Sequence, residues 1–413
     1  MEIRDTSVPI VILQFSPYNL IHGGLGIART AGRLGIPIYW VDGGHWAPAT
    51  LSRYIRGRLV WNADASAGVL VDYLLERAAK MGPRAILMPI DDIAAGFVAD
   101  QAEALRERFL FPNQPAGLAQ RLSNKKEMHF LCKEAGVPTP EAAFPRSKDE
   151  VADFGAAASF PIMLKRIAWF PEHRQQLKSV AMAINPGELL EEYEEMATTG
   201  KPNILLQEYI PGGSESVWMF NGYFTDDSEC LAGFTGRKIR QAPPSTGTTT
   251  LGICLKNEVV EKTTVYFMRK IGYSGIVDMD YRYDRRDGKY KLLDVNPRIG
   301  ATFRLFLDSN GMDVVRALYL DLTGQPVRFG VPREGRKWVV EQSDLMGSLQ
   351  YAHLGQLTLA EWARSLRGVE EGAWFALDDP MPFAAMGWTS IRKVGHKLRE
   401  HLIRATSPLQ SPA

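Results

Sequence analysis

Cysteine is scarce in this chain and poorly placed for its structural uses. Cys132, Cys230 and Cys254 are the only three among 413 residues. They form no C-x-x-C pair and no metal-ligand spacing, which excludes a disulfide framework and a zinc-finger type of fold. So sparse a set suits a reducing, cytoplasmic setting. No apolar run approaches the roughly 18 residues of a membrane-spanning helix, and the opening MEIRDTSVPIVILQF is too short and too soon charged for a signal peptide. Neither sign of charge is in excess: 48 Lys and Arg face 47 Asp and Glu, a formal net charge of +1. There is thus no global basic face of the kind nucleic acid requires, and no nucleic-acid partner is expected. Also absent is a Walker A string, which disfavours a P-loop kinase or ATPase. The glycines of HGGLGIAR (Gly23, Gly24, Gly26) do not spell G-x-G-x-x-G and read as a tight strand–helix turn. No Ser–His–Asp or Cys–His pairing stands out, and His22 and His45 read as structural. Internal repeats and low-complexity linkers are lacking too.

What is present is ordinary for an α/β protein: 45% hydrophobic and 23% charged residues, over a length sufficient for two or three compact lobes. The first hundred residues alternate strands (Pro9 to Phe15, Pro37 to Gly44, Arg84 to Pro89) with helices (around Ile27 to Leu34, and Ala67 to Met81). That order implies an open parallel sheet, with ligands expected at the carboxyl ends of its strands. Asp91 and Asp92 stand at one such end, where they could hold an amine or merely cap the following helix.

A second unit opens near Leu122. Ser123 or Asn124 can cap a helix that Gly136 and Pro138 end. FPIMLKR (Phe160 to Arg166) is a strand, Gly187 to Thr198 an acidic helix, and PNILLQEYIPGG a strand leaving a Pro-Gly-Gly turn. VWMFNGYF and ECLAGFTGRKIRQ read as antiparallel neighbours, and Glu258 to Ile271 as a helix.

The most informative segment is GIVDMDYRYDRRDGKYKLLDVNPR. Period 2 puts Asp278 and Asp280 on one face of the first strand, with Val277, Met279 and Tyr281 on the other. Asp294 and Asn296 share a face of the returning strand. A three-residue loop, Arg286 to Gly288 with glycine left-handed, places Asp280 opposite Asp294; a two-residue loop would turn the two acids apart. Two acids and an amide so disposed are oxygen ligands suited to Mg²⁺ on nucleotide phosphates. The plain alternative is a solvated hairpin face beside Arg282 and Arg285. Pro297 ends the strand where Arg298 could reach a phosphate.

LLDVNPRIG after GIVDMDYRYD resembles the metal-binding end of the ATP-grasp superfamily, and other landmarks follow in that family's order over roughly residues 120 to 310. The resemblance implies Mg²⁺ on Asp280, Asp294 and Asn296, and Arg298 on the transferred phosphate. Asp280 stands where Glu is usual. SNKKEM is similar to the start of the small lobe, so Lys125 would contact phosphate, although two lysines in a first helical turn are also commonly just solvated. Lys165 would lie over the α- and β-phosphates. LLQEYIPGG resembles the linker between lobes: Gln207, Glu208, Tyr209 and Ile210 would edge adenine, and Glu215 would hold ribose. The segment IAWFPEHRQQLKS lacks the glycine-rich loop of many relatives.

Within the superfamily the chain looks most like the carboxylate–amine ligases of the D-aspartate ligase kind. In that group Arg237, Lys238 and Arg240 meet phosphate or the substrate carboxylate; their plain reading is a solvated strand edge. The implied fold is α/β and α+β: an N-terminal parallel pre-ATP-grasp domain (1–120), a small lobe (121–206), a large antiparallel lobe with the metal site (207–330), and a C-terminal extension (331–413). The implied activity is ATP- and Mg²⁺-dependent ligation with Arg298, Arg240 and Lys165 catalytic, two ions, and Mn²⁺ able to substitute. The substrates would be a small or carrier-bound carboxylate and an amine such as an amino acid. The alternatives are an ATP-grasp kinase or carboxylase, or a nucleotide-binding regulatory protein. In the extension, Trp338 to Leu345 has strand character and Asp378 to Met386 reads as a loop. WTSIRKVGHKLREHLIRAT reads as a basic amphipathic helix with Ile391, Val394, Leu398 and Leu402 in one stripe. Such a helix packs on its own protein or lies on an anionic membrane.

Overall fold

The computed structural model describes residues 3–62, 64–167, 178–197, 203–244 and 246–406, with side chains as far as residue 393. Most of the segment expected to lack a covering loop, residues 168–177, lies outside these. Three sheets organise the chain. The first is parallel, in the order β3-β2-β1-β4-β5, built from β1 (Ile10–Leu13), β2 (Ile38–Asp42), β3 (Ile55–Val60), β4 (Ala85–Pro89) and β5 (Phe109–Leu110). The inner strand β1 is buried at every residue, as a parallel sheet covered on both faces requires.

The second sheet is antiparallel, order β6-β9-β7-β8, from β6 (Ala142–Ala143), β7 (Ile162–Arg166), β8 (Val180–Ala183) and β9 (Ile204–Glu208). The third has seven strands in the order β14-β13-β10-β11-β12-β15-β16: β10 (Val217–Phe224), β11 (Cys230–Ala242), β12 (Thr248–Cys254), β13 (Gly275–Asp284), β14 (Lys289–Asn296), β15 (Lys337–Val339) and β16 (Val369–Gly372). Its neighbours are antiparallel except β15 and β16. The last two strands come from the region expected as an extension, so that region lengthens the large sheet.

One face of the large sheet presents Phe220, Val277, Met279, Tyr281 and Leu292 to the helices Lys125–Ala135 and Glu258–Lys270. Its other face shares a core with the N-terminal unit through Ile299, Phe303 and Leu305. The glycines of HGGLGIAR serve that junction from inside a helix, Gly23–Gly32, and not from a turn. A Cβ on Gly24 would stand 2.3 Å from the Trp40 ring, and one on Gly26 2.7 Å from that of Phe303.

Two readings near the C-terminus are corrected. The strand at Trp338 stops at Val339, and Glu341–His353 is helical. Residues read as a loop from Asp378 begin the helix Met381–Thr406 instead; Pro382 falls in its first turn, where a missing N–H costs nothing. No helix among the described residues is long and apolar enough to cross a membrane. Of the apolar stripe, Ile391 is 68% exposed and the side chains of Val394, Leu398 and Leu402 lie outside the described residues. Lys393 anchors the helix at the described end, donating to Asn19 Oδ1 at 2.9 Å.

Candidate active site

The hairpin β13–β14 carries the acids as alternation dictates. Val277, Met279 and Tyr281 are fully buried in the core, which turns Asp278 and Asp280 to the other face. Asp280 pairs with Asp294 and Asp278 with Asn296. The loop has four residues, 285–288, with Gly288 left-handed at φ +71. A regular ladder from that loop would set Leu293 opposite Asp280. A bulge at Leu293, between the pairs Tyr281–Leu292 and Asp280–Asp294, restores the register. There the outer edge of β14 is tied elsewhere: Leu292 N–H donates to the Pro138 carbonyl at 2.8 Å, and its own carbonyl accepts from Thr139 Oγ1 at 3.2 Å.

The acids open into a cleft between the second and third sheets. Met163, Val180, Ile210 and Leu293 give it apolar walls, and Gln207, Glu208 and Tyr209 an edge. Lys125, Lys165, Lys238 and Arg282 supply positive charge beside Asp280 and Asp294. Each acid already has a cation: Lys125 Nζ lies 2.8 Å from Asp294 Oδ1 and Lys238 Nζ 2.9 Å from Asp280 Oδ2. Asn124 presents Lys125 by capping its helix through the Lys126 and Glu127 amides. Burial works to discharge Lys125, but Asp294 above all holds its pKa above the ordinary lysine value. Burial likewise opposes Asp294, whose pKa Lys125 keeps below the carboxylate norm. Lys165 is displaced the other way: burial, then the neighbouring Lys125 charge, pull it down to about 8. Asp278, desolvated and beside Asp280, rises to about 7; Gly300 makes room for it, since a Cβ there would meet its Oδ2 at 2.1 Å.

No family model matches the chain. A D-aspartate ligase of Enterococcus faecium (strain Aus0004) is 25% identical over 288 residues, covering 65% of this chain and 67% of that protein. Among solved structures, an L-amino acid ligase from Bacillus licheniformis superposes with a TM-score of 0.57 at 17% identity, over 78% of this chain and 77% of its own. The N5-carboxyaminoimidazole ribonucleotide synthetase of Thermus thermophilus gives 0.59 at 15%, over 79% and 82%. The biotin carboxylase domain of the Hydrogenobacter thermophilus 2-oxoglutarate carboxylase, crystallised with MgADP, ADP and bicarbonate, gives 0.58 at 17%, over 79% and 73%. The chain has the ATP-grasp fold.

Against the ATP-grasp pattern, Lys125, Lys165, Gln207, Glu208, Tyr209, Ile210, Asp280 and Asp294 line one cleft. Asn296 stands at its end, accepting from Arg298 at 3.3 Å. Arg298 itself is held by the N-terminal unit, its Nε 2.6 Å from Asp92 Oδ1. The carboxylate of Glu208 is fixed by Lys291 at 2.9 Å and Arg286 at 2.8 Å, and its N–H donates to the Glu141 carbonyl at 2.9 Å. Among the described residues no three His, Cys, Asp or Glu side chains cluster as a metal site.

Two expected residues stand elsewhere. Glu215 is exposed at the rim, its carboxylate turned back on the Gly213 amide at 3.2 Å. Arg240 is buried and bidentate on Asp344, at 2.8 and 2.9 Å. The cause is a bulge: Lys238 pairs with Gly252 and Arg240 with Leu251, so Ile239 is extra and the two cations leave on opposite faces. Arg240 therefore joins the sheet to the helix Glu341–His353. Lys238, one of three basic residues taken together in the sequence, is the one that reaches the acids. Arg282 shares the acid face at i+2 from Asp280, a signal the alternation already contained; its guanidinium lies 5.1 Å over the Tyr209 ring. His22 packs between Trp338 and Trp374, where burial lowers its pKa to about 4, in keeping with a structural role.

Proposed function

We propose that this chain is an ATP- and Mg²⁺-dependent ligase that activates a carboxylate as an acyl phosphate and couples it to an amine. The observation that carries the reading is the cross-strand pair Asp280–Asp294, facing a cleft that also holds the cations Lys125, Lys165, Lys238 and Arg282. Carboxylates in register supply oxygen ligands for Mg²⁺, and lysines that a metal on those acids would set free suit the charge of a transferring phosphoryl group. The likeness to a D-aspartate ligase supports the amide-forming outcome.

In this reading Asp280, Asp294 and Asn296 would hold Mg²⁺, which would supply positive charge against the phosphates. Lys125 and Lys238, released from their acids by the metal, would turn to the phosphates. Lys165, whose pKa burial and Lys125 lower to about 8, would hold its proton firmly beside them. Met163, Val180, Ile210 and Leu293 would sandwich adenine, with Gln207, Glu208 and Tyr209 along its edge. Arg298 would steady the transferred group. The carboxylate oxygen attacks the γ-phosphorus and ADP leaves; the amine then attacks the acyl carbon, the C–O bond to phosphate breaks, and the amine's proton leaves with phosphate. Two Mg²⁺ ions, replaceable by Mn²⁺, and a free or carrier-bound carboxylate with an amino-acid amine complete the proposal.

The test is phosphate release from MgATP against a panel of carboxylates and amines. Release that depends on one pair, with an amide formed, is expected. A phosphorylated product would show a kinase, and binding of ATP without consumption by any pair would show a regulatory protein.

A further inference from the structure

The carboxyl edge of the N-terminal sheet holds a hollow separate from the nucleotide cleft. Phe15 after β1, Trp61 after β3 and the helix Asp92–Asp100 after β4 wall it, and Ser123 and Asn124, next to Lys125, close one side. The Phe15 ring lies 5.0 Å from that of Trp61 and 5.2 Å from that of Phe97. Two polar atoms at its walls are buried without a hydrogen-bond partner, the donor Trp61 Nε1 and the acceptor Gln120 Oε1. Buried polar atoms are seldom left so unless a ligand or water meets them.

Of the two acids at this edge, Asp91 is used up. Its Oδ1 accepts from Ala94 N–H, capping the helix, and its Oδ2 from the amides of Phe15 and Ser16 at 2.7 and 3.0 Å. Asp92 lines the hollow and is bound to Arg298. Resting on the ligase reading, we propose that the hollow is the amine subsite, shaped for a primary amine with an aromatic or similarly bulky apolar group. Asp92 receives its ammonium when Arg298 turns to the transferred phosphate, and accepts the proton the ammonium sheds to become the attacking amine. The charge balance requires the exchange: Arg298 leaves a carboxylate without a cation, and the incoming ammonium replaces it beside the acyl group. The rings supply a face for the apolar group and for the cation. Occupancy of the nucleotide cleft thereby prepares the amine site.

Gly96 gives a test that does not disturb the core. It lines the hollow within a helix, and a Cβ there meets nothing within 4 Å, so Gly96→Leu fills the space while improving helix propensity. Calorimetric titration of the protein loaded with Mg²⁺ and a non-hydrolysable ATP analogue, whose terminal phosphate draws Arg298 off Asp92, should show 2-phenylethylammonium binding about tenfold or more tighter than ethylammonium. Gly96→Leu should erase that difference with MgADP affinity unchanged, and Asp92→Asn should weaken both amines. Equal binding of the two amines, or an aryl advantage that survives Gly96→Leu, overturns the proposal. If the aryl amine binds as expected but no substrate pair releases phosphate, the ligase reading falls and the subsite stands. If phosphate is released with an amine preference blind to Gly96→Leu, the subsite falls and the ligase stands.

Discussion

Replacing Asp294 by Asn separates two things this acid does in the cleft. It keeps shape and volume but removes the charge that faces Lys125 at 2.8 Å and one oxygen ligand of the Asp280–Asp294–Asn296 set. The stability term is small: the side chains are 25% and 37% exposed, so water screens the pair and its loss costs about 1 kcal/mol or less. The binding terms have opposite signs. Without Mg²⁺, Lys125 no longer has to leave a carboxylate to reach phosphate, so ADP affinity should hold or rise by up to about fivefold, the equivalent of about 1 kcal/mol. With Mg²⁺, the missing charged ligand should cost about 10²-fold or more in the metal-dependent part of binding and in phosphate release. Calorimetry with ADP in EDTA and in Mg²⁺, beside a thermal melt, reads all three terms. A folded Asp294→Asn protein whose ADP binding still tightens with Mg²⁺, or whose phosphate release is unchanged, would refute the metal assignment.

Lys165, at about 8 in the empty cleft, should return toward 10.5 when phosphates arrive. The free group loses its proton as pH rises through 8 while the bound group keeps it, so MgADP binding at pH 8 should take up about half a proton. Titrations in buffers of different ionisation enthalpy measure this, and the uptake should vanish in Lys165→Gln; the same uptake in that variant would assign the proton elsewhere. Arg240→Met should behave as a lesion of the fold. It strands Asp344, buried with donors from Thr250 and Trp362, at a cost of about 3–5 kcal/mol. The melting temperature should fall while MgADP affinity of the folded fraction is kept, and a variant with normal stability and lost turnover would restore Arg240 to catalysis.

The hairpin shows where reading a sequence succeeds and where it stops. Alternation alone puts Asp278 and Asp280 opposite Met279 and Tyr281, because apolar residues at every second position must face the core. It does not reveal that the loop has four residues, nor that Leu293 bulges to cancel the shift. Those depend on bonds from Leu292 to Pro138 and Thr139, about 150 residues away in the chain. Resemblance to the ligases likewise groups Arg240 with Arg237 and Lys238, and only the bulge at Ile239 parts it from Lys238. The glycines of HGGLGIAR read as a turn in the string because the rings they accommodate, Trp40 and Phe303, are brought in by other elements. Asp91 and Asp92, indistinguishable in the string, are sorted only by which backbone amides and which arginine lie near.

These misplacements share a consequence for how the cleft works. The charges around the acids come as matched pairs, Lys125 with Asp294, Lys238 with Asp280 and Arg298 with Asp92, so the cleft does not hold a cluster of bare acids. Each pair is a lysine or arginine that suits phosphate bound to a carboxylate that suits a cation. A nucleotide and its metal must therefore arrive together to satisfy both halves, since either alone strands the other. In the proposed reading, two of the carboxylates would then meet metal. The third, Asp92, lies on the N-terminal unit at the mouth of the aromatic hollow, and the cation left for it is the substrate's own ammonium.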